Sequence, residues 1–150
     1  MTECGGTGAG KRQCGTCRAC CRVLAVSALG KPAGRHCEHE TEAGCGIYHD
    51  RPEACRTWYC MWVRDNRGIF DEHHRPDRLG LMLDSRGNDA ASGRPSIVAT
   101  EVIPDAAAEP EARRVIQFLR QFAIVSVRPY RPAQPANVAL TVAGEPRASA

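Results

Sequence analysis

The stretch CGTCRACCR, residues 14–22, places four cysteines within eight positions and sets two of them side by side. Two-residue gaps let one tight turn direct several sulfur atoms toward a single point, as a tetrahedral thiolate site requires. The side chains of Cys20 and Cys21 diverge because they are adjacent, so the pair suits a junction between two centres, or one polynuclear cluster. The stretch therefore predicts metal ligation in this part of the chain.

Cysteine is confined to the first 60 of the 150 residues. The nine cysteines are Cys4, Cys14, Cys17, Cys20, Cys21, Cys37, Cys45, Cys55 and Cys60. We expect the last eight to bind metal, either as two four-sulfur sites or as the ligands of a cluster. Cys4 lies in the glycine-rich stretch TECGGTGAG and is predicted to be a free thiol.

Other roles for the cysteines fit the sequence less well. Buried thiols without a metal are common singly, but eight within residues 14–60 are not expected on that basis. No apolar signal-peptide core precedes them, so we expect a cytosolic protein, and structural disulfides rarely persist in that reducing compartment. A catalytic pairing with His36, His39 or His49 needs one cysteine that stands apart as a nucleophile, and none does. The sequence therefore identifies no catalytic residue.

Composition and charge limit the class of protein. Only 5% of the residues are aromatic, and 14 Gly and 10 Pro predict a chain rich in loops with one modest core. The net charge of +3 is spread over both halves of the chain, which disfavours a nucleic-acid partner. No run of about 18 apolar residues occurs, so we expect no membrane segment.

The sequence predicts an α+β fold in which a small, loop-rich, metal-stabilised cysteine region precedes a strand-strand-helix-strand unit. We expect a flexible leader at 1–13, the cysteine region at 14–76, the α+β scaffold at 77–143 and a frayed tail at 144–150. Strands are predicted at 77–84, 96–103 and 123–129, with a possible fourth at 137–142. A helix is predicted at 109–122. Its apolar face consists of Ala112, Val115, Ile116, Leu119 and Phe122.

A further helix is predicted over residues 51–63, in the cysteine region. Asp50 is its predicted N-cap, Pro52 suits the first turn, and Glu53 follows the cap by three residues. On this helix Cys55 and Cys60 would lie about 140° apart around the axis. Either the helix loosens near Cys60 or the two sulfurs serve different centres.

Three stretches together resemble the YkgJ-like cysteine-cluster family, which is described as a zinc- or iron-chelating domain. They are CGTCRACC at 14–21, HCEHE at 36–40 and CGIYHDRPEACRTWYC at 45–60, and RPDRLGLMLD at 75–84 is similar to the segment that follows. Apart from the cysteines, the matching positions are Ile47, Tyr48, Arg51, Pro52, Arg56 and Trp58. The resemblance implies metal binding by the eight cysteines.

We therefore expect a cytosolic protein that binds zinc or iron through its eight cysteines. Donors and cations around the sulfurs would adjust the charge of the site, and the candidates are His39, Tyr48, Arg51, Arg56 and Trp58. Alternatively, Trp58 and Trp62 need only cover a helix face. Two other functions stay open: an iron–sulfur protein with a redox or enzymatic role, distantly related to the flagellin lysine N-methylase, and a zinc-stabilised module for protein interaction. Sequence does not identify a protein partner.

Overall fold

A computed structural model of the protein describes residues 12–132. Its helices are α1 (Ala19–Val23), α2 (Glu53–Thr57), α3 (Met61–Arg64), α4 (Pro76–Leu79) and α5 (Pro110–Arg120). Its strands are β1 (Glu40–Thr41), β2 (Gly44–Cys45), β3 (Leu81–Asn88), β4 (Pro95–Glu101) and β5 (Ile124–Arg128). The predicted α+β class is confirmed. Cys4, most of the leader, the possible strand at 137–142 and the tail lie outside the described residues.

The scaffold is a three-stranded sheet in the order β3-β4-β5. Strands β3 and β4 pair antiparallel, with Leu83 opposite Ala99, because a short loop joins them. Strands β4 and β5 pair parallel, since α5 carries the chain back across the sheet between them. The described part of the scaffold is therefore a strand-strand-helix-strand unit.

Strand β3 begins at residue 81 instead of the predicted 77. Pro76 occupies the first turn of the short helix α4, where its missing N–H costs nothing, and the helix ends at Gly80 in the left-handed conformation. Gly80 has a φ of 76°, and a Cβ placed on it would lie 2.7 Å from the Cβ of Ala106. A glycine is required here both for the backbone conformation and for space.

One face of α5 packs against the sheet, as its sequence pattern predicts. Ala112, Val115, Ile116 and Leu119 are buried, and Leu119 is only 1% exposed. Burying one such leucine contributes about 1.5–3 kcal/mol. The inclusion of Phe122 in this face was wrong: the helix ends at Arg120, so Phe122 is 45% exposed and stacks edge-to-face on Phe118.

The other face of the sheet meets the cysteine region. Met82 of β3 is 2% exposed, and it belongs to the same buried cluster as Trp62 and Val63 of α3. The indole N–H of Trp62 donates to the backbone oxygen of Asp71 at 2.8 Å, which satisfies this polar group inside the cluster. One continuous core therefore joins the scaffold to the cysteine region.

The prediction of one helix over residues 51–63 was wrong. Two short helices occupy this stretch, and the backbone is extended at Trp58 and again at Cys60. The predicted N-cap, Asp50, lies in a preceding 3₁₀ turn, and Pro52 takes the cap position instead. Burial of Trp62 in the shared core sets the direction of α3 and overrides local helix preference. The loosening near Cys60 that its spacing from Cys55 suggested is confirmed.

Within residues 12–132, no helix is both long enough and apolar enough to cross a lipid bilayer.

Candidate metal centre

The first four cysteines are presented by a turn and a short helix. The backbone N–H of Cys17 donates to the carbonyl of Cys14 at 3.0 Å, which closes the turn, and Gly15 has a φ of 56° within it. Cys20 and Cys21 follow on α1, where successive side chains project about 100° apart. The structure thus gives the adjacent pair different directions, as their sequence position predicts.

The middle two cysteines are held by backbone contacts. The N–H of Cys37 donates to the carbonyl of Cys21 at 3.0 Å, which fixes the loop around Cys37 to α1. Cys45 lies on β2, opposite Glu40 in the two-stranded hairpin formed with β1. The chain therefore folds back twice to bring these thiols to α1.

The last two cysteines lie on either side of the break between α2 and α3. Cys55 is on α2, and Cys60 is the N-cap of α3 and is buried at 8% exposure. Because the chain is extended at Trp58, the two sulfurs are not bound to the spacing of one helix. Each is free to belong to a different group of thiols.

Two neighbouring cavities bring all eight predicted ligands together. The larger, of about 320 Å³, is lined by seven of them: Cys14, Cys17, Cys20, Cys21, Cys37, Cys45 and Cys55. The smaller, of about 60 Å³, is lined by Cys14, Cys17, Cys20, Cys55 and Cys60. The ligand set predicted from sequence is thus gathered in space, although its members are spread over residues 14–60.

The thiols of the adjacent pair have very different acidities. A hydrogen bond from the Cys20 thiol lowers the pKa of Cys21 to about 7, although burial acts to raise it, and Lys31 and Arg18 contribute to the lowering. The same bond, followed by burial, raises the pKa of Cys20 well above its ordinary value. Burial raises the pKa of Cys17 to about 11. Cys21 is therefore much more easily ionised than its neighbour.

Four cationic side chains, Arg18, Lys31, Arg51 and Arg86, line the larger cavity. Lys31 is 6% exposed, and its ammonium donates to the carbonyl of Leu24. Burial lowers its pKa, and the neighbouring thiols act in the opposite direction. The guanidinium of Arg51 lies 3.7 Å from the centre of the Tyr48 ring and donates to the Tyr48 carbonyl. These cations offset negative charge on thiolates.

The residues predicted to surround the ligands divide into two groups. Tyr48, Arg51 and Trp58 line the larger cavity. Arg56 is exposed, and His39 lies 3.6 Å from Glu38 and lines neither of the two cysteine cavities. Among the described lining residues of these two cavities there is no histidine, so the geometry brings thiols and cations together without imidazole.

Sequence reasoning missed Lys31 and Glu40. Lys31 is the one lysine between residues 14 and 76, in a chain whose other basic residues there are arginines, and that exception was the available signal. Glu40 pairs with Arg22 at 2.8 Å and with Arg18 at 3.6 Å, beside the hairpin. No motif distinguishes Glu40 from the other acidic residues.

The donor set fits a thiophilic metal, since soft sulfur ligands favour zinc, copper(I) and iron–sulfur clusters. The sulfurs do not stand at ligand distance, however: in the part of the chain that the structure describes, no group of three or more Cys, His, Asp and Glu side chains is arranged to hold an ion. Metal binding requires the thiols to move closer to one another.

Comparison with protein-family models, with curated proteins and with solved structures gave no match for this chain. The YkgJ-like resemblance stays a prediction.

Proposed function

We propose that this protein binds zinc or iron through Cys14, Cys17, Cys20, Cys21, Cys37, Cys45, Cys55 and Cys60. The observation that carries the proposal is the convergence of seven of these thiols on one cavity of about 320 Å³, with the eighth, Cys60, in the cavity next to it. Thiols that pack merely as small apolar side chains have no reason to face a common space beside cations.

Electrostatics also supports a bound cation. Burial raises the pKa of Cys45, Cys55 and Cys60, so these thiols resist ionisation on their own. A metal ion supplies the positive charge that makes thiolates stable in such a place, and it releases protons as it binds. Lys31 and Arg51 then reduce the residual negative charge of a tetrathiolate site.

An iron–sulfur cluster is a second candidate, because the larger cavity has more room than a single ion needs. Four thiolates hold such a cluster, and its potential responds to nearby charge and hydrogen bonds. A redox or enzymatic role would follow from that choice of metal.

A zinc-stabilised interaction module is a third candidate. The exposed aromatic pair Phe118 and Phe122 on the scaffold offers apolar surface to a partner. A cytosolic location stays a prediction.

Metal analysis of freshly purified protein tests the proposal. The full chain is purified under anaerobic conditions, and zinc, iron and acid-labile sulfide are measured per chain. Zinc or iron at one equivalent or more supports metal binding, and broad visible absorption with sulfide identifies a cluster. A variant with all eight cysteines replaced by serine is the control and should contain no metal. Wild-type protein without zinc or iron, even after anaerobic reconstitution, contradicts the proposal.

A further inference from the structure

The eight cysteines differ in how they contact the core. Cys60 is a member of the buried cluster, and Cys14, Cys17 and Cys20 are partly buried side chains packed against it. Among the described residues, the other four cysteines are neither in this cluster nor packed on it. The first set is thus packed on the shared core, to which Trp62 and Met82 belong. The second set, Cys21, Cys37, Cys45 and Cys55, lies outside it.

The two cavities divide the thiols in the same way. Cys60 lines the smaller cavity and not the larger one. The core residues Trp62 and Val63 also line the smaller cavity. Cys21, Cys37 and Cys45 line the larger cavity and not the smaller one. The remaining four thiols line both cavities and form the wall that the cavities share. They are Cys14, Cys17, Cys20 and Cys55.

Electrostatic contacts assign the thiols of that shared wall. Cys20 interacts most strongly with its neighbour Cys21, and beyond that pair it interacts with Cys14 and Cys17, while Cys17 interacts with Cys60. Cys55, in contrast, interacts with the group outside the core, namely Cys21, Cys37 and Cys45. Each group therefore contains four thiols, and Cys20 and Cys21 are the point where the groups meet.

The surroundings of the two groups differ as well. Four cations line the larger cavity, whereas Arg51 is the one cation among the described residues that line the smaller. The walls of the larger cavity include the two-residue strand β2 and the loop at Lys31. Those walls can open locally, whereas the walls of the smaller cavity include the core residues Trp62, Val63 and Met82.

We infer that the cysteines form two four-sulfur centres of unequal accessibility. The inner centre uses Cys14, Cys17, Cys20 and Cys60 and is structural, because a metal there is enclosed by the shared core. The outer centre uses Cys21, Cys37, Cys45 and Cys55 and exchanges its metal, because none of these thiols packs on the shared core and short elements enclose them. This inference rests on the proposed function and specifies the number, ligands and roles of the centres.

Zinc release from the full-length chain tests the inference. The reduced chain is loaded with zinc, and the ion is then captured by the chromogenic chelator 4-(2-pyridylazo)resorcinol under anaerobic conditions. Wild-type protein should release two equivalents in two phases of equal amplitude. The inner phase should be slower by at least about tenfold, since it requires opening of the core. Cys45→Ser should retain one equivalent and lose the fast phase, and Cys60→Ser should retain one and lose the slow phase.

Double variants make the assignment independent of any single substitution. Cys14→Ser with Cys60→Ser removes two ligands of one centre and should cost one equivalent, whereas Cys45→Ser with Cys60→Ser should cost both. If circular dichroism shows that Cys60→Ser does not fold, the Cys17→Ser variant takes its place in the series, because Cys17 is only partly buried. Loss of both equivalents in one single variant, or release of both in one phase, overturns the partition and leaves metal binding intact. Wild-type protein that takes up no zinc and no iron overturns the proposed function itself.

Discussion

The carboxylate of Asp65 accepts a hydrogen bond from the backbone N–H of Phe70 at 2.8 Å. It accepts a second from the N–H of Arg67 at 3.0 Å and pairs with Arg12 at 3.1 Å, while its side chain is 3% exposed. Although burial acts to raise it, the pKa of Asp65 is lowered by the N–H groups of Phe70, Arg67 and Ile69, and then by Arg12. This one side chain holds the turn that places Phe70 in the core.

Asp65→Ala should lower the free energy of unfolding by about 1–3 kcal/mol, because the part-buried N–H of Phe70 loses its acceptor and Arg12 loses its carboxylate partner. Since the pKa of Asp65 lies below its ordinary value of 3.8, its contribution is complete above that pH and is lost as pH falls through the lower, folded-state pKa. Urea unfolding of both proteins between pH 3 and pH 7 checks this. A stability difference that grows on acidification would contradict it.

Gly80→Ala should destabilise the protein by more than Gly87→Ala does. Both glycines have positive φ, 76° and 79°, so alanine carries a backbone cost of about 1–2 kcal/mol at either position. Only at Gly80 does the added Cβ also meet a side chain, Ala106, at 2.7 Å, which adds about 1–3 kcal/mol of overpacking. The difference between the two variants in thermal unfolding measures the cost of the contact between the added Cβ and Ala106. Equal losses would show that Ala106 moves aside freely.

Removal of metal should change the environment of Trp58 more than that of Trp62. Trp58 lines both cysteine cavities, whereas Trp62 lines only the smaller one, is 4% exposed and donates a hydrogen bond to Asp71 in the shared core. Treatment with a strong chelator should therefore shift tryptophan emission to the red in Trp62→Phe, which keeps Trp58, and less in Trp58→Phe. Emission and helicity that do not change on complete stripping would refute a metal-dependent fold of the cysteine region.

Cys21→Ser and Cys4→Ser should differ in metal content. Serine at position 21 removes a soft thiolate from the candidate site, so bound metal and melting temperature should fall together. Cys4 lies ten residues before Cys14 in a glycine-rich stretch, so its replacement should leave both unchanged. Elemental analysis with thermal unfolding measures both effects. Equal metal loss in the two variants would mean that the ligand set includes Cys4.

Local patterns predicted the scaffold better than the cysteine region. Helix α5 follows from Pro110 and from apolar residues such as Val115 and Leu119 at helical spacing, since one face packs on a sheet. Long-range packing decided what local patterns missed. Trp62 enters a core shared with Met82, and that contact interrupts the helix predicted over residues 51–63.

The candidate site follows the same division. Cysteine spacing identified the thiols that the structure gathers, because sulfur ligands are rare enough to be noticed in sequence. Lys31 and Glu40 come close to the thiols only through the fold of the chain, and the one signal in the sequence was that Lys31 is the single lysine between residues 14 and 76. His39 belongs to a matching stretch but faces neither of the two cysteine cavities.

The shared core has a consequence for how this chain can be divided. A fragment that ended at residue 76 would retain all the thiols but would leave Trp62 and Val63 without the strand that covers them, since Met82 lies beyond the cut. Such a fragment would expose apolar surface where the inner thiols are anchored, and it would tend to aggregate. The cysteine region is therefore not an independent folding unit. We expect it to fold only together with the sheet.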